Sequence, residues 1–329
     1  GESSARLIGH LTNILIGMTV LLLVANVPPH LLAKLGPPLY ALALVLLIAV
    51  ALFGEIRNGS RRWLPLGVTA IQPSELMKIA LPLMLAWYFQ QREGMLRTWD
   101  FMLAGGLIAL PFLLILKQPD LGTALLIGAS GFYVLFFAGL SWRVIAGLGT
   151  AGVLSLPLAW NFVLHDYQKT RVLTLIDPTA DPLGDGYHII QSTIAIGSGG
   201  FFGKGWLQGT QNQLDFIPER TTDFIFAVYS EEFGLLGVLL LILLYLAIVA
   251  RGLKIAEHAP STFARLMAAT ISLNFFTYVF VNMGMVSGIL PVVGVPLPLM
   301  SYGGTAMVTL MIGFGMLMSM ATHRQILKS

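Results

Sequence analysis

The 329-residue sequence contains no cysteine and few charges, with only 11% of its residues Asp, Glu, Lys or Arg. Without cysteine there are no disulfides and no thiolate metal centres. With so little charge the chain cannot cover a water-facing surface of its size, for which roughly 25% charged residues is ordinary. A soluble globular fold is excluded, and lipid must be the solvent for most of the surface. An internal repeat and a low-complexity tract are also lacking. The opening, GESSARLIGH, lacks the basic-then-apolar order of a signal peptide, and a further segment is expected before Gly1. What is abundant agrees with a membrane setting: 56% of residues are hydrophobic and the mean hydropathy is +0.80.

Apolar runs near the roughly 20 residues that carry a helix across a bilayer core fall at about 7–27, 38–54, 75–90, 101–117, 121–140, 143–164, 223–250, 264–287 and 303–321. The expected fold class is an all-α polytopic membrane protein with about nine transmembrane helices, forming a single transmembrane domain over 1–329. Segments 31–38 and 287–302 are apolar but broken by proline, and read as interfacial or re-entrant pieces.

Alternating the connections puts Lys34, Arg92, Arg97, Arg143, Arg251, Lys254, Arg265, Arg324 and Lys328 on one side with Glu93, Asp100 and Glu257 as the only acids. The other side is net acidic, although Arg57, Arg61 and Arg62 oppose the trend. The excess of Lys and Arg assigns the first side to the cytoplasm. The C-terminus is then cytoplasmic and Gly1 lies outside.

The outer side carries the unusual chemistry. The connection 165–221 is long, rich in Gly, Asp and Gln, and too polar to be a membrane element. Connections of more than about 15 residues are usually functional or disordered. Its Tyr187, Ile189, Ile190, Phe201, Phe202 and Trp206 argue for a loop that packs on the helices or dips into the interface.

Ionisable groups at membrane depth are costly and face a cavity or a partner. Glu75 opens the third run with Lys78 three residues on, sharing a helix face. Lys117 and Asp120 flank Gln118-Pro119, Asp223 opens the seventh run, and Glu231 and Glu232 follow two turns deeper. Each has a structural reading: Asp120 and Asp223 as helix caps, Glu75 as a partner of the helix dipole, Lys78 as its counter-ion, Trp63 as an interfacial aromatic. Convergence favours function, since Arg57, Arg61, Arg62, Lys78, Lys117, Arg171, Lys204 and Arg220 fall on the same outer face as the acids. Such a band beside an apolar bundle suits an amphiphile with a diphosphate head and a hydrocarbon tail.

Two motifs are dismissed. GSGGFFGKGW at 197–206 is not a phosphate-binding P-loop, because Ser198 stands where Gly is needed and Gly205 where Ser or Thr is needed; it reads as a flexible hinge. The histidines at 10, 30, 165, 188, 258 and 323 have no metal-ligand spacing.

The stretches RRWLPLG (61–67), QPSELMKIA (72–80), KQPDLGTALL (117–126), HDYQ (165–168), DPLGDGYHIIQSTIAIGSGG (181–200), GKGWLQGTQ (203–211), LDFIPERTTDFIFAVYSEEFG (214–234) and GMVSGILPVVGVPLPLMSYGGT (284–305) resemble the SEDS family of peptidoglycan glycosyltransferases. HDYQ and GILPVVGVPLPLMSYGG are similar to its elongation type, which serves rod-shape maintenance, more than to its division type. The resemblance implies a ten-helix protein of the bacterial cytoplasmic (inner) membrane, with the family's first helix absent here. It also implies polymerisation of lipid II into glycan strands on the extracytoplasmic side, beside a class B penicillin-binding protein. Expected partners are lipid II, the lipid-linked nascent glycan, that transpeptidase and membrane lipids, and no nucleic acid.

By the same resemblance Asp223 matches the family's essential aspartate, and Trp63, Glu75, Lys78, Asp120 and Arg171 match positions tied to activity. Asp223 is then the expected general base, with Lys78, Lys117, Arg171 and Arg220 as candidates to stabilise the departing diphosphate, and Lys204 as a further substrate contact. Glu75 and Asp120 either hold Lys78 or share a divalent cation; no cofactor is certain. The rival expectation is a lipid II flippase, which intramembrane charges and the broken 287–302 segment also suit. Against it stand the missing inverted repeat and charges confined to one face. A purely structural scaffold leaves those charges unexplained.

Overall fold

The structure is a computed structural model and describes residues 2–57, 60–65, 70–162, 164, 166–180, 184–210 and 221–323. The nine apolar runs are nine helices: α1 (Glu2–Ala25), α2 (Pro29–Phe53), α3 (Pro73–Gln91), α4 (Thr98–Leu116), α5 (Leu121–Phe137), α6 (Trp142–Phe162), and, after two further helices, α9 (Ile225–Glu257), α10 (Thr262–Val286) and α11 (Gly304–Thr322). Among the described residues, seven helices are long and apolar enough to cross a membrane, and α5 is apolar but shorter. The chain is thus a polytopic helical membrane protein, as its hydropathy required.

The chain divides into two compact units, the first comprising 1–139, 247–277 and 303–329 and the second 140–246 and 278–302. In the first unit α3 is the central helix, packed on α2, α4, α5 and α11, and eleven of its residues are buried. A helix enclosed by others needs no continuous lipid-facing surface, which explains why α3 tolerates Glu75 and Lys78 in its opening turns. Asp120 caps α5 by accepting from the Thr123 backbone N–H at 3.2 Å. At the opposite end of α3, Tyr88 donates to the Asp100 carboxylate at 2.7 Å while the Arg97 N–H donates to the same group at 2.7 Å, tying α3 to the start of α4.

Lipid tails are as apolar as the side chains, so helices associate here through close packing and interhelical hydrogen bonds. Small residues permit the approach. A Cβ at Gly36 would lie 2.8 Å from the Leu83 carbonyl oxygen, and one at Gly315 would lie 2.7 Å from that of Leu21. Tyr40 donates to the Leu107 carbonyl at 2.8 Å, Asn274 to Ser130 at 3.0 Å, and Tyr133 pairs with Thr277 at 2.7 Å.

Three local expectations are corrected. Segment 31–38 is no broken interfacial piece: α2 starts at Pro29 and runs unbroken through Pro37 and Pro38. Proline costs a helix one hydrogen bond per ring, and beside these rings Gly36 lets α2 approach the Leu83 backbone of α3 closely. Between α2 and α3 the chain forms a short antiparallel ribbon, β1 (Glu55–Arg57), β2 (Ser60–Pro65) and β3 (Ala70–Ile71), which no apolar alternation announced. The long connection is largely helical, with α7 (Asp166–Ile176), a 3₁₀ turn (Pro178–Ala180) and α8 (Asp185–Ser198). Of the loop's apolar residues Ile189 on α8 is buried, and Ser192 beside it donates to the Val286 carbonyl of α10 at 2.9 Å, whereas Phe201, Phe202 and Trp206 are exposed.

Gly36→Val should lower the stability of the detergent-solubilised protein by about 1–3 kcal/mol, because the added atoms overpack a backbone contact. Gly105→Val on α4, where a Cβ meets nothing within 4 Å, should cost less than Gly36→Val in the same thermal unfolding measurement.

Candidate active site

In the second unit, the turn preceding α9 holds Asp223, half-buried, two residues before the first helical residue. Its backbone is fixed from three directions. Tyr302 N–H donates to the Thr221 carbonyl at 2.8 Å, Ser301 Oγ to the Thr222 carbonyl at 2.6 Å, and Asn282 Nδ2 to the Asp223 carbonyl at 2.8 Å. Three consecutive carbonyls are therefore claimed by Asn282 of α10 and by the last two residues of segment 287–302. That segment is non-helical, as its prolines and glycines required. Asn282 reaches it too, donating to the Val295 carbonyl at 2.6 Å, and Tyr245 donates to the Pro298 carbonyl at 2.7 Å.

The Asp223 carboxylate faces this segment. A Cβ on Gly294 would stand 3.4 Å from Oδ2, and Gly294 has φ +68°, where glycine is favoured. On the adjacent side, the His188 ring of α8 stacks on Phe224, with centroids 5.4 Å apart and planes 20° from parallel. The carboxylate also sits at the N-terminal end of α9. Arg171 is half-buried on α7, which packs against α8.

Lys204 belongs to a different arrangement. Its Nζ lies 2.6 Å from Oε1 of Glu231, whose side chain is 0% exposed, and 2.8 Å from Thr210 Oγ1. Around this pair the glycine-rich stretch is bonded backbone to backbone across a break in α9. Lys204 N–H donates to the Glu231 carbonyl and Gly205 N–H to that of Glu232, each at 3.0 Å, while Leu235 N–H returns to the Gly200 carbonyl at 2.9 Å. The break lies at Gly234, with φ +62° and ψ −163°. Cβ atoms at Gly199 and Gly203 would come within 2.2 Å of the Ser230 oxygen and 2.1 Å of the Glu232 oxygen. The stretch read as a flexible hinge is a locked junction, and its glycines serve close backbone approach.

In the first unit the remaining candidates gather where β2, the start of α3 and the α4–α5 turn meet. Glu75 and Lys78 are bonded at 2.6 Å. Asp120, 6% exposed, pairs with Arg62 of β2 at 3.5 Å, and Arg62 also donates to the Pro119 carbonyl at 3.3 Å. Trp63 follows on the same strand, half-buried, and Lys117 is exposed at the end of α4. Lys78 is thus held by Glu75, whereas Asp120 is engaged with Arg62. Among the described residues no three His, Asp or Glu side chains gather as metal ligands. Arg220 lies outside the described residues.

Sequence reasoning did not single out Asn282, Ser301 or the Lys204–Glu231 pair. Asn282 carried a signal, being an amide inside an otherwise apolar run, which at membrane depth must have a partner. The Lys204–Glu231 pairing is separated by 27 positions and had no local mark.

Residues 2–326 match the FtsW/RodA/SpoVE family, described as cell cycle proteins. The chain belongs to this family. Among FtsW/RodA/SpoVE relatives it is 53% identical to the peptidoglycan glycosyltransferase MrdB of Escherichia coli (strain K12) over 314 residues, 95% of this chain and 85% of that one. Its fold is similar to a chain from a structure on coordination of polymerization and crosslinking by a peptidoglycan synthase complex, with TM-score 0.81, 36% identity, and coverage of 95% of this chain and 88% of that chain. It is also similar to the crystal structure of the Thermus thermophilus rod shape determining protein RodA, with TM-score 0.72, 30% identity, and coverage of 98% and 89%. The FtsW/RodA/SpoVE membership bears out the resemblance carried by the motifs.

In this FtsW/RodA/SpoVE chain, Lys204→Met should cost about 3–5 kcal/mol of stability, because a fully buried carboxylate loses its ammonium. The double variant Lys204→Met/Glu231→Leu should recover at least half of that loss in chemical unfolding. Equal losses in the single and double variants would show that the ion pair is not what holds the junction.

Proposed function

We propose that this protein polymerises lipid II into peptidoglycan glycan strands during cell elongation, with Asp223 as the general base, at the extracytoplasmic face of the bacterial inner membrane. The glycosyltransferase class comes with the family, through the 53% identical relative that bears that name. The observation that carries the residue assignment is the fixed turn at 221–223, whose carboxylate faces Gly294 in a non-helical segment.

The chemistry follows from the substrate. A sugar hydroxyl is far too weak an acid to be ionised at neutral pH, so Asp223 accepts its proton as the oxygen bonds to the anomeric carbon. The bond from that carbon to the lipid diphosphate breaks, and the diphosphate leaves with the electron pair. A preorganised base matters because every rotation frozen before the reaction is one not frozen during it. The leaving diphosphate needs cations, and Arg171 is the one assigned in the second unit. In the first unit we assign Lys78 and Lys117 to diphosphate binding, with Glu75 and the Arg62–Asp120 pair setting the local charge and Trp63 offering an aromatic face to sugar. Arg220 remains a candidate from the sequence alone. A class B penicillin-binding protein is the proposed partner, consistent with the similarity to a chain of a synthase complex that couples polymerization to crosslinking.

Asp223→Asn keeps the shape and every backbone bond of the turn while removing the basic oxygen. It should abolish glycan ladders when the purified protein is incubated with lipid II, with an unchanged unfolding midpoint. Ladders from that variant would remove Asp223 from the base role. A wild-type protein that makes no ladder yet moves lipid II between the leaflets of a vesicle would replace the polymerase reading with the flippase one.

A further inference from the structure

At the opposite end of α9 from Asp223, the first unit contains a cavity of about 230 Å³ lined by Arg251, Lys254, Ile255, His258, Met320 and Ala321. Arg251, Lys254 and Ile255 of α9 and His258 just after it follow an i, i+3, i+4, i+7 spacing, so three basic groups face one hollow. Arg251 stands six residues before the end of α9, about 9 Å along the axis at 1.5 Å per residue.

Two observations separate this hollow from an ordinary basic helix end. Among the described residues neither Arg251 nor Lys254 is ion-paired, and the nearby Glu257 turns its carboxylate to His258, 4.0 Å from Nδ1. His258 is itself tied down, its Nδ1 donating to the Lys254 carbonyl at 2.9 Å. The cavity also has an apolar floor, Ile255 with Met320 and Ala321 of α11, and the same α9 face continues toward the bilayer as Ile248 and the exposed Ala247. Unpaired cations above an apolar track complement a molecule with a phosphate at one end and acyl chains at the other.

We infer that this hollow binds the phosphate of an anionic phospholipid, Arg251 and Lys254 contacting the phosphate oxygens and the acyl chains running down past Ala247. A soluble phosphate ester shares the headgroup chemistry but has nothing to place on the apolar floor, which favours the lipid. The site is independent of Asp223 and of the glycan chemistry assigned to it.

The test is native mass spectrometry of the detergent-purified full chain equilibrated with equal amounts of phosphatidylglycerol and phosphatidylcholine. The wild-type protein should retain phosphatidylglycerol preferentially. Arg251→Gln/Lys254→Gln should reduce that preference about thirtyfold, since each basic side chain near a membrane surface favours anionic lipid by about fivefold. Lys254→Gln alone should reduce it about fivefold, and the charge-preserving Lys254→Arg should leave it within about twofold. Both side chains are exposed, and the unfolding midpoint of each variant checks that the fold is kept. Undiminished preference in the double variant overturns the site. Displacement of the lipid by millimolar glycerol 3-phosphate overturns its assignment to a lipid and makes it a site for soluble phosphate.

Discussion

One buried amide organises the second unit. Asn282 donates both of its hydrogens to backbone carbonyls, that of Asp223 at 2.8 Å and that of Val295 at 2.6 Å, residues 59 and 13 positions away. In a bilayer, backbone that is neither helix nor closed sheet persists only where protein satisfies its polar groups. Segment 287–302 is backbone of that kind. Ser301 and Tyr245 extend the satisfaction begun by Asn282, so the irregular stretch is pinned at Val295, Leu297, Pro298 and Ser301. Without these bonds the stretch would have no reason to stay beside α9, and the Asp223 carboxylate would face no fixed wall.

The polar side chains of each unit share a rule. A carboxylate that is buried is engaged: Glu231 by Lys204, Asp120 by Arg62 and the Thr123 N–H, Asp100 by Tyr88 and the Arg97 N–H. Away from water such pairing is the condition for a charge to persist. The exposed cations follow the other rule. Lys117, Arg251 and Lys254 lie at helix ends, where water and headgroups begin. Exposure thus leaves Lys117, Arg251 and Lys254 open to an anionic ligand, whereas Lys78 would meet one while already bonded to Glu75.

How far the sequence could be read depended on what each signal measured. The spans were legible because hydropathy reports the solvent directly, and all nine runs are helices. Asp120's capping role was legible because a cap is a local event within three residues. Partnerships were not. Nothing near Asp120 in the sequence names Arg62, and nothing near Lys204 names Glu231, because these meetings are set by packing. Proline misled at Pro37–Pro38, where α2 continues through both rings, and informed correctly at 287–302, where side-chain amides and hydroxyls satisfy the irregular backbone. The polar character of 165–221 concealed two amphipathic helices, since a mean over a segment erases the periodicity that defines them.

The junction at Gly234 acts as a ruler. Because the glycine-rich stretch grips α9 at Glu231, Glu232 and Leu235 through main-chain atoms, beside the Lys204–Glu231 pair, it fixes the rotational setting of the helix. Asp223 lies eight residues upstream of Glu231, and each residue of helix turns the chain by about 100°. One residue inserted or deleted in that interval would swing the carboxylate more than a quarter turn from Gly294 while every contact of the junction survived. The stretch between Asp223 and Glu231 is therefore constrained in length as well as in packing.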